Sequence, residues 1–500
     1  MAQPPAIVPS GILNAASKNP PKSPFGSIAR GSRFEISGVR FGEAADTMKV
    51  SLTQTPNLPV RLISTASFRI ECLLPAQAPL GRAAVTVSRG EETSKQTFID
   101  VVPSNFGIFT ANGEGWGPAR FLPQATIGFA TPARPGNPVT ILGTGLGDES
   151  RPQVFVGGRL APILKIERQP LGLDQITFRV PPGAPEGCFV PVYAKSARTS
   201  SPWVSNPATI PIASRGACAL PSYAPAPPIP PGAVAGAVAV LREIEMDAVP
   251  EVTADLGFAA FYQSNSKAPM VLPVHTLPPP GTCTFAVGFH RAEGINSVVP
   301  FIPPNWNQLD PADVGPSLRL TRPGLERLLP QRPTVVGVYA AAIGDTAGTR
   351  KSLPLFLDPG SFTLSSQGGK SIGPFAVTIE SPPDFTWFNH SSLQEIGRAR
   401  GVELEWKNLA PGVLMIAFVL VQDRESGTGG ACVCVAARGA TRVRIPSDAL
   451  AGLPIPGKEN SRSYVGLAAI GVAPAGFRAA GLDQAAAHSI LVRARQIRFN

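Results

Sequence analysis

The sequence predicts an all-β chain of several domains, and three observations lead there. Glycine and proline number 50 and 56 in 500 residues, together about double ordinary usage. They cost about 1 and about 3 kcal/mol respectively inside a helix, so the chain is cut into short strands and tight turns. The hydrophobic content is 43% and only 16% of residues are charged, which provides a core for each domain and excludes a disordered chain. The third observation is an internal repeat in the first half. Glycine keeps no every-third-residue register, which excludes collagen.

The repeat places Gly31, Ile36, Gly38 and Gly42, in GSRFEISGVRFG, against Gly136, Ile141, Gly143 and Gly147, in GNPVTILGTGLG, at an offset of 105. Pro75, Ala78, Pro79 and Gly81, in PAQAPLG, recur at an offset of 106 as Pro181, Ala184, Pro185 and Gly187, in PPGAPEG. Two separated blocks with nearly one spacing imply duplication of a unit of about 100 residues, the size of an immunoglobulin-like sandwich. The expected architecture is therefore tandem immunoglobulin-like β-sandwiches over 1–110 and 111–218. Alternation places strands at 33–37, 49–53, 67–73 and 84–88, then at 139–142, 153–156, 175–180 and 189–194.

The same residues carry a resemblance. An I-x-G-x-x-[FL]-G block followed by a P-x-x-A-P-x-G block is similar to the immunoglobulin-like IPT/TIG class. Residues 9–213 more closely resemble the uncharacterised Solibacter-type C-terminal domain family of secreted acidobacterial proteins, on PSGILNAAS at 9–17, FGIFTANGEGWGPA at 106–119, ATPARPGNPVTILGTGLG at 130–147 and VPPGAPEG at 180–187. That resemblance implies an extracellular or cell-surface setting and carries no functional residues. The arrangement of LDPGSFTLSSQGG at 357–369, FTW at 385–387 and VELEW at 402–406 is similar to second halves of proteins in the same group.

Pro221 to Pro231 holds six prolines in eleven residues, a stiff extended stretch without a core of its own. It sets a linker at 219–235. Beyond it a β-rich domain is expected over 236–380 and a sandwich-like domain over 381–500, divided at Ser381-Pro382-Pro383-Asp384. Strands are expected at 237–246, 282–289, 317–321, 334–341, 361–364 and 375–379, then at 402–406, 413–421, 431–437, 442–445, 463–472 and 490–499. One short helix is expected at Pro323 to Leu329.

The net charge of +10 comes from 44 basic and 34 acidic residues. It is spread without runs, so it lacks the basic stripe that tracks phosphates, and no nucleic-acid partner is expected. The longest apolar run, Val413 to Val421, is far short of the roughly 20 residues that a bilayer requires, so no membrane-spanning segment is expected. No apolar stretch follows Met1. Ala2-Gln3 is a small-residue junction of the kind at which export signals are cut, so the expectation is an exported chain whose signal peptide has been removed.

Chemistry-bearing residues are sparse. Gly369-Lys370-Ser371-Ile372-Gly373 matches the G-x-S-x-G elbow of hydrolases, which needs a strand, a sharp turn and then a helix; Pro374 and a strand follow instead. Gly143-Thr144-Gly145-Leu146-Gly147 is followed by Asp148, not by the spacing of a dinucleotide loop. His275, His290, His390 and His488 share no metal-binding spacing. Glu243, Glu245 and Asp247 alternate along a strand, as oxygen ligands for calcium or as an edge-protecting acidic row. Of the tryptophans, Trp203, Trp306, Trp387 and Trp406 read as packing residues. Trp116, among glycines in NGEGWGP, marks a candidate ligand-contact loop. No catalytic residue, metal or cofactor is assigned.

Six cysteines in an exported chain invite pairing. CFVPVYAK at 188–195 and NPATIPIA at 206–213 read as a hairpin with Cys188 opposite Ala213, which leaves Cys218 within reach of Cys188. Cys283 is expected to pair with Cys434 or Cys432, which share a strand face, and Cys72 to remain a buried thiol. The reading as a whole is a secreted or surface-displayed, non-catalytic protein of β-sandwiches, acting in adhesion, matrix assembly or binding of a glycan or protein partner through loops at sandwich ends. The alternatives are an extracellular hydrolase with a site in the second half and a self-assembling subunit that pairs strand edges.

Overall fold

The computed structural model describes residues 3–42, 48–53, 55, 58–123, 126–149, 151–197, 202–220, 230, 232–247, 251–264, 277–289, 309–333, 335–346, 353–423, 425–457, 462–471 and 475–500. The protein is all-β, with tandem immunoglobulin-like sandwiches followed by a larger β-rich region.

In the first sandwich, one sheet runs Ala6–Asn14, Arg33–Val39, Arg69–Leu73, Arg61–Ala66, and the other runs Ile28–Ala29, Thr97–Val102, Gly81–Arg89, Met48–Leu52. These are the two sheet orders of an immunoglobulin domain. Strand Met48–Leu52 shows the local cause: Met48, Val50 and Leu52 face the core, while Lys49 and Ser51 alternate away from it. Phe34, Ile36 and Ile70 meet Val50, Val85 and Val101 between the sheets.

The second sandwich repeats the order. Gly107–Ile108, Pro138–Thr144, Leu173–Arg179 and Ile163–Gln169 face Arg159–Ala161, Gln153–Val156, Gly187–Lys195 and Ala208–Ile212. Gly38 and Gly143 occupy equivalent places, each paired to the first strand of its unit, with Ile7 and with Ile108. A Cβ at either would lie 2.2 Å from a phenylalanine ring, Phe41 in the first unit and Phe106 in the second. The rings come from different places in the two units, since Leu146 is the counterpart of Phe41. In both, however, a carbonyl of the first strand also closes on the glycine, Ala6 O at 2.3 Å and Gly107 O at 2.5 Å from a Cβ there, an approach that only glycine permits. The two units are locked together, because the Arg33 backbone N–H donates to Thr144 Oγ1 at 2.9 Å and its Nε to Leu171 O at 2.7 Å.

The break expected at 381–384 does not divide two sheets. A single sheet runs through twelve strands, from Thr282–Phe289 through Thr428–Val435, Val413–Asp423, Arg462–Gly471, Leu482–Gln496, Val234–Glu245, Val252–Ser264, Val335–Asp345, Leu325–Arg332, Ser317–Arg322 and Ser361–Ser366 to Phe375–Glu380, with Leu309–Pro311 and Ala475–Ala479 paired off this path. Its centre is the parallel pairing of Val234–Glu245 with Leu482–Gln496. One end curls over a core of Val240, Phe261, Leu320, Tyr339 and Phe356, and Phe477 comes within 4.8 Å of Phe375. The other end packs Val419, Val421, Val465 and Leu467 against Trp387, Leu404 and Trp406 of a small sheet.

The helix expected at Pro323 to Leu329 is instead the second arm of a hairpin. Gly324 turns the chain at a φ of +74°, and Leu325–Arg332 returns in register on Ser317–Arg322. Strand pairing overrides the helix-like spacing of Leu325, Leu328 and Leu329. The short α-helix lies elsewhere, at Ser447–Ala451.

Candidate functional site

The site is built where the second sandwich meets the second half. Strand Gly187–Lys195 buries one phase of its side chains and leaves Tyr193 and Lys195 half-buried on the outer face. Phe155 stands opposite Tyr193 in register, and the two rings stack with centroids 5.2 Å apart and planes 9° apart. Lys195 Nζ lies 4.8 Å over the Phe155 ring and 2.7 Å from Asp448 Oδ2, in the first turn of Ser447–Ala451. The Tyr193 hydroxyl reaches the same carboxylate at 3.5 Å. Burial, and then the Asp448 charge, raises the phenol pKa above its ordinary value.

Phe285 of strand Thr282–Phe289 meets the Tyr193 ring edge-on, centroids 6.3 Å apart. Beside this corner lies a cavity of about 160 Å³. Gly157, Gly158, Tyr193 and Pro207 wall it on the sandwich side, and Thr282, Cys283, Phe285, Arg444, Pro446 and Ala449 on the other. Its walls are mainly apolar, and among the described residues that line it there is one arginine and no carboxylate or histidine.

Two disulfides flank this junction. Cys188 and Cys218 are bonded, with Cα atoms 5.1 Å apart. The expected register is corrected, because Gly187 pairs with Ile212 and a bulge follows. Cys188 therefore does not face Ala213; its N–H donates to Ala219 O at 3.2 Å, which brings Cys218 alongside. Cys283 and Cys434 face each other directly across Thr282–Phe289 and Thr428–Val435, Cα atoms 4.0 Å apart, and are bonded. Cys72 and Cys432 are buried thiols, and burial raises the pKa of both.

The other residues singled out do not converge. Trp116 sits half-buried in a turn whose Gly115 closes on the Ser17 carbonyl of the first sandwich, and its indole N–H is buried without a hydrogen-bond partner among the described residues. Trp203, Trp387 and Trp406 are core residues, each 2% exposed. Ser371 donates its backbone N–H to Asp313 O, and strand Phe375–Glu380 follows the glycine-rich turn. His390 Nδ1 lies 3.4 Å from Asp247 Oδ2, which also pairs with Arg495 at 3.2 Å. Glu243 is buried in its strand, while Asp247 lies beyond the strand end. His488 is buried on the central strand Leu482–Gln496. His275, His290 and Trp306 lie outside the described residues. Among the described residues no group of three or more His, Cys, Asp or Glu side chains converges to hold a metal ion, and no helix is long and apolar enough to cross a membrane.

No family model matches the chain, and no curated protein matches it. Solved structures it is similar to include domains 5–6 of the S-layer protein SbsC, at 11% identity over 42% of this chain and 98% of that one, with a TM-score of 0.21. Domains 4–9 of SbsC align at 10% identity over 97% of this chain and 65% of that one, TM-score 0.20. SGBP-B of the Bacteroides ovatus mixed-linkage glucan utilization locus, in complex with a mixed-linkage heptasaccharide, aligns at 8% identity over 90% and 94%, TM-score 0.15. Likenesses this low carry no functional argument. The fold itself defines the class, a multi-domain β protein with tandem immunoglobulin-like sandwiches.

Proposed function

We propose that this is an exported, non-catalytic binding protein that holds a glycan at the junction of its second sandwich and its second half. The observation that carries the reading is the cavity wall. Tyr193 and Phe285 bring two aromatic rings to it from different parts of the chain, while no histidine or carboxylate among the described residues lines it. Aromatic side chains in a mainly apolar wall with a polar group beside them suit the apolar face of a sugar ring. Hydrolysis would instead need a paired acid and base, or a nucleophile and base, within hydrogen-bond reach. Export is supported by the two disulfides, which persist in oxidising compartments, and by the resemblance of residues 9–213 to a secreted family.

A glycan array followed by titration calorimetry tests this reading, with Phe285→Leu, which removes the ring but keeps an apolar side chain at a buried position, expected to weaken binding at least about tenfold. Failure of every glycan to bind, or unchanged binding by the variant, would refute it. Non-reducing peptide mapping tests the export reading. Recovery of Cys188 and Cys218 as separate free thiols from oxidatively folded protein would count against it.

A further inference from the structure

We infer that the junction cavity takes an acidic sugar, a uronate residue whose carboxylate pairs with Arg444. This deepens the proposed glycan-binding function and rests on it. Charge complementarity is the argument. Arg444 is the one charged residue among the described residues of the cavity wall, and its side chain is exposed. Its Nη2 donates to Arg400 O at 3.0 Å, which holds the guanidinium in place and leaves the fork able to take a carboxylate.

The carboxylates nearest in the fold are already engaged. Asp448 accepts from Lys195 at 2.7 Å. Glu403, opposite Arg444 in register, is drawn to Arg442 at 3.9 Å. A cation in a wall that is otherwise mainly apolar and also holds Tyr193 and Phe285 matches a ligand with one apolar ring face and one anionic substituent. The net charge of +10 favours the approach of such a ligand over the whole surface.

The test is titration of the full-length protein with tetragalacturonic acid and with the same tetrasaccharide after reduction of its carboxyl groups to alcohols. The acidic form is expected to bind about 10- to 100-fold more tightly, the range of one charge-assisted pair. Arg444→Gln is expected to weaken the acidic form far more than the reduced form and so remove that difference, and added salt to weaken the acidic form more than the reduced one. Arg444 is exposed, so its substitution leaves the fold intact. Equal affinity for the two forms, or a preference that survives Arg444→Gln, overturns the acidic-sugar assignment while glycan binding stands. Binding of neither form, with no glycan retained on an array, overturns both.

Discussion

Asp255→Ala is expected to be among the most costly single substitutions in the second half. The Asp255 carboxylate is fully buried and accepts four hydrogen bonds, from Arg242 Nε at 2.8 Å and Nη2 at 2.9 Å, and from the backbone N–H of Phe356 at 2.6 Å and Leu357 at 2.8 Å. It thereby ties strands Val234–Glu245 and Val252–Ser264 to the segment that leads into Ser361–Ser366. These bonds hold the Arg242 guanidinium above its ordinary pKa, the hydrogen bonds to Asp255 being the largest cause. Alanine strands two buried N–H groups, each worth about 1–3 kcal/mol. It also leaves Arg242 with only the half-exposed Asp358, at 3.1 Å. Both routes lead to about 3–5 kcal/mol, the usual cost of removing one partner from a buried pair.

Arg242→Met is expected to cost less, because the Asp255 carboxylate still accepts both backbone donors and neither N–H is stranded. A chain of several domains does not unfold in two states. The measurement is therefore native-state hydrogen exchange at the Phe356 and Leu357 amides, where Asp255→Ala is expected to reduce protection by about two to four orders of magnitude. A loss below tenfold, or an equal effect of Arg242→Met, refutes the reasoning.

Two further outcomes are expected. Gly38→Ala and Gly143→Ala, each forcing a Cβ to within 2.2 Å of a phenylalanine ring, are expected to lower the stability of their own sandwich by similar amounts, about 1–3 kcal/mol; a neutral effect at one site, measured by thermal unfolding, would break the equivalence of the repeats. Burial lowers the pKa of His488 to about 4, below its ordinary value of about 6.5. The unfolded chain then binds the proton first, so the stability this group contributes is complete above pH about 6.5 and is lost as pH falls toward 4, by about 3 kcal/mol. His488→Leu should flatten urea midpoints across that window, and an unchanged slope would show that another group titrates there.

The first half was legible because its signals are local and occur twice. Gly38 and Gly143, the alternation of Met48, Val50 and Leu52, and the short span from Cys188 to Cys218 all act within one unit of about 100 residues. The second half hid its organisation, because its central contact pairs Val234–Glu245 with Leu482–Gln496, strands about 250 residues apart that carry no local mark of each other. PGLERLL at 323–329 misled for a related reason. Its leucines fit a helical face, and only pairing with Ser317–Arg322 makes it a strand. The site was not legible. Trp116 is the loop residue that the sequence marks, whereas Tyr193 and Lys195 are set apart only by the fold, which buries the other residues of their strand, and nothing in the sequence brings Phe285 and Arg444 to meet them.

That meeting gives the cavity its stiffness. Domain junctions within one chain generally move unless something fixes them; here ring packing and an ion pair cross the junction, while each disulfide braces one side of it. Cys188–Cys218 holds the chain to the second sandwich at the point where the proline-rich stretch begins, and Pro279, just before Thr282, closes to 3.0 Å from where a Gly187 Cβ would stand. Cys283–Cys434 fastens the strand that carries Phe285. Lys195 and Asp448 then bridge the two sides at 2.7 Å. The ion pair alone, with both partners about a quarter exposed, is worth only about 1 kcal/mol or less, too little to set a domain angle. Its effect is to choose among the orientations that the packed rings and the Pro279 contact leave open. A cavity fixed in this way is formed before its ligand arrives, so binding there pays little for ordering the walls.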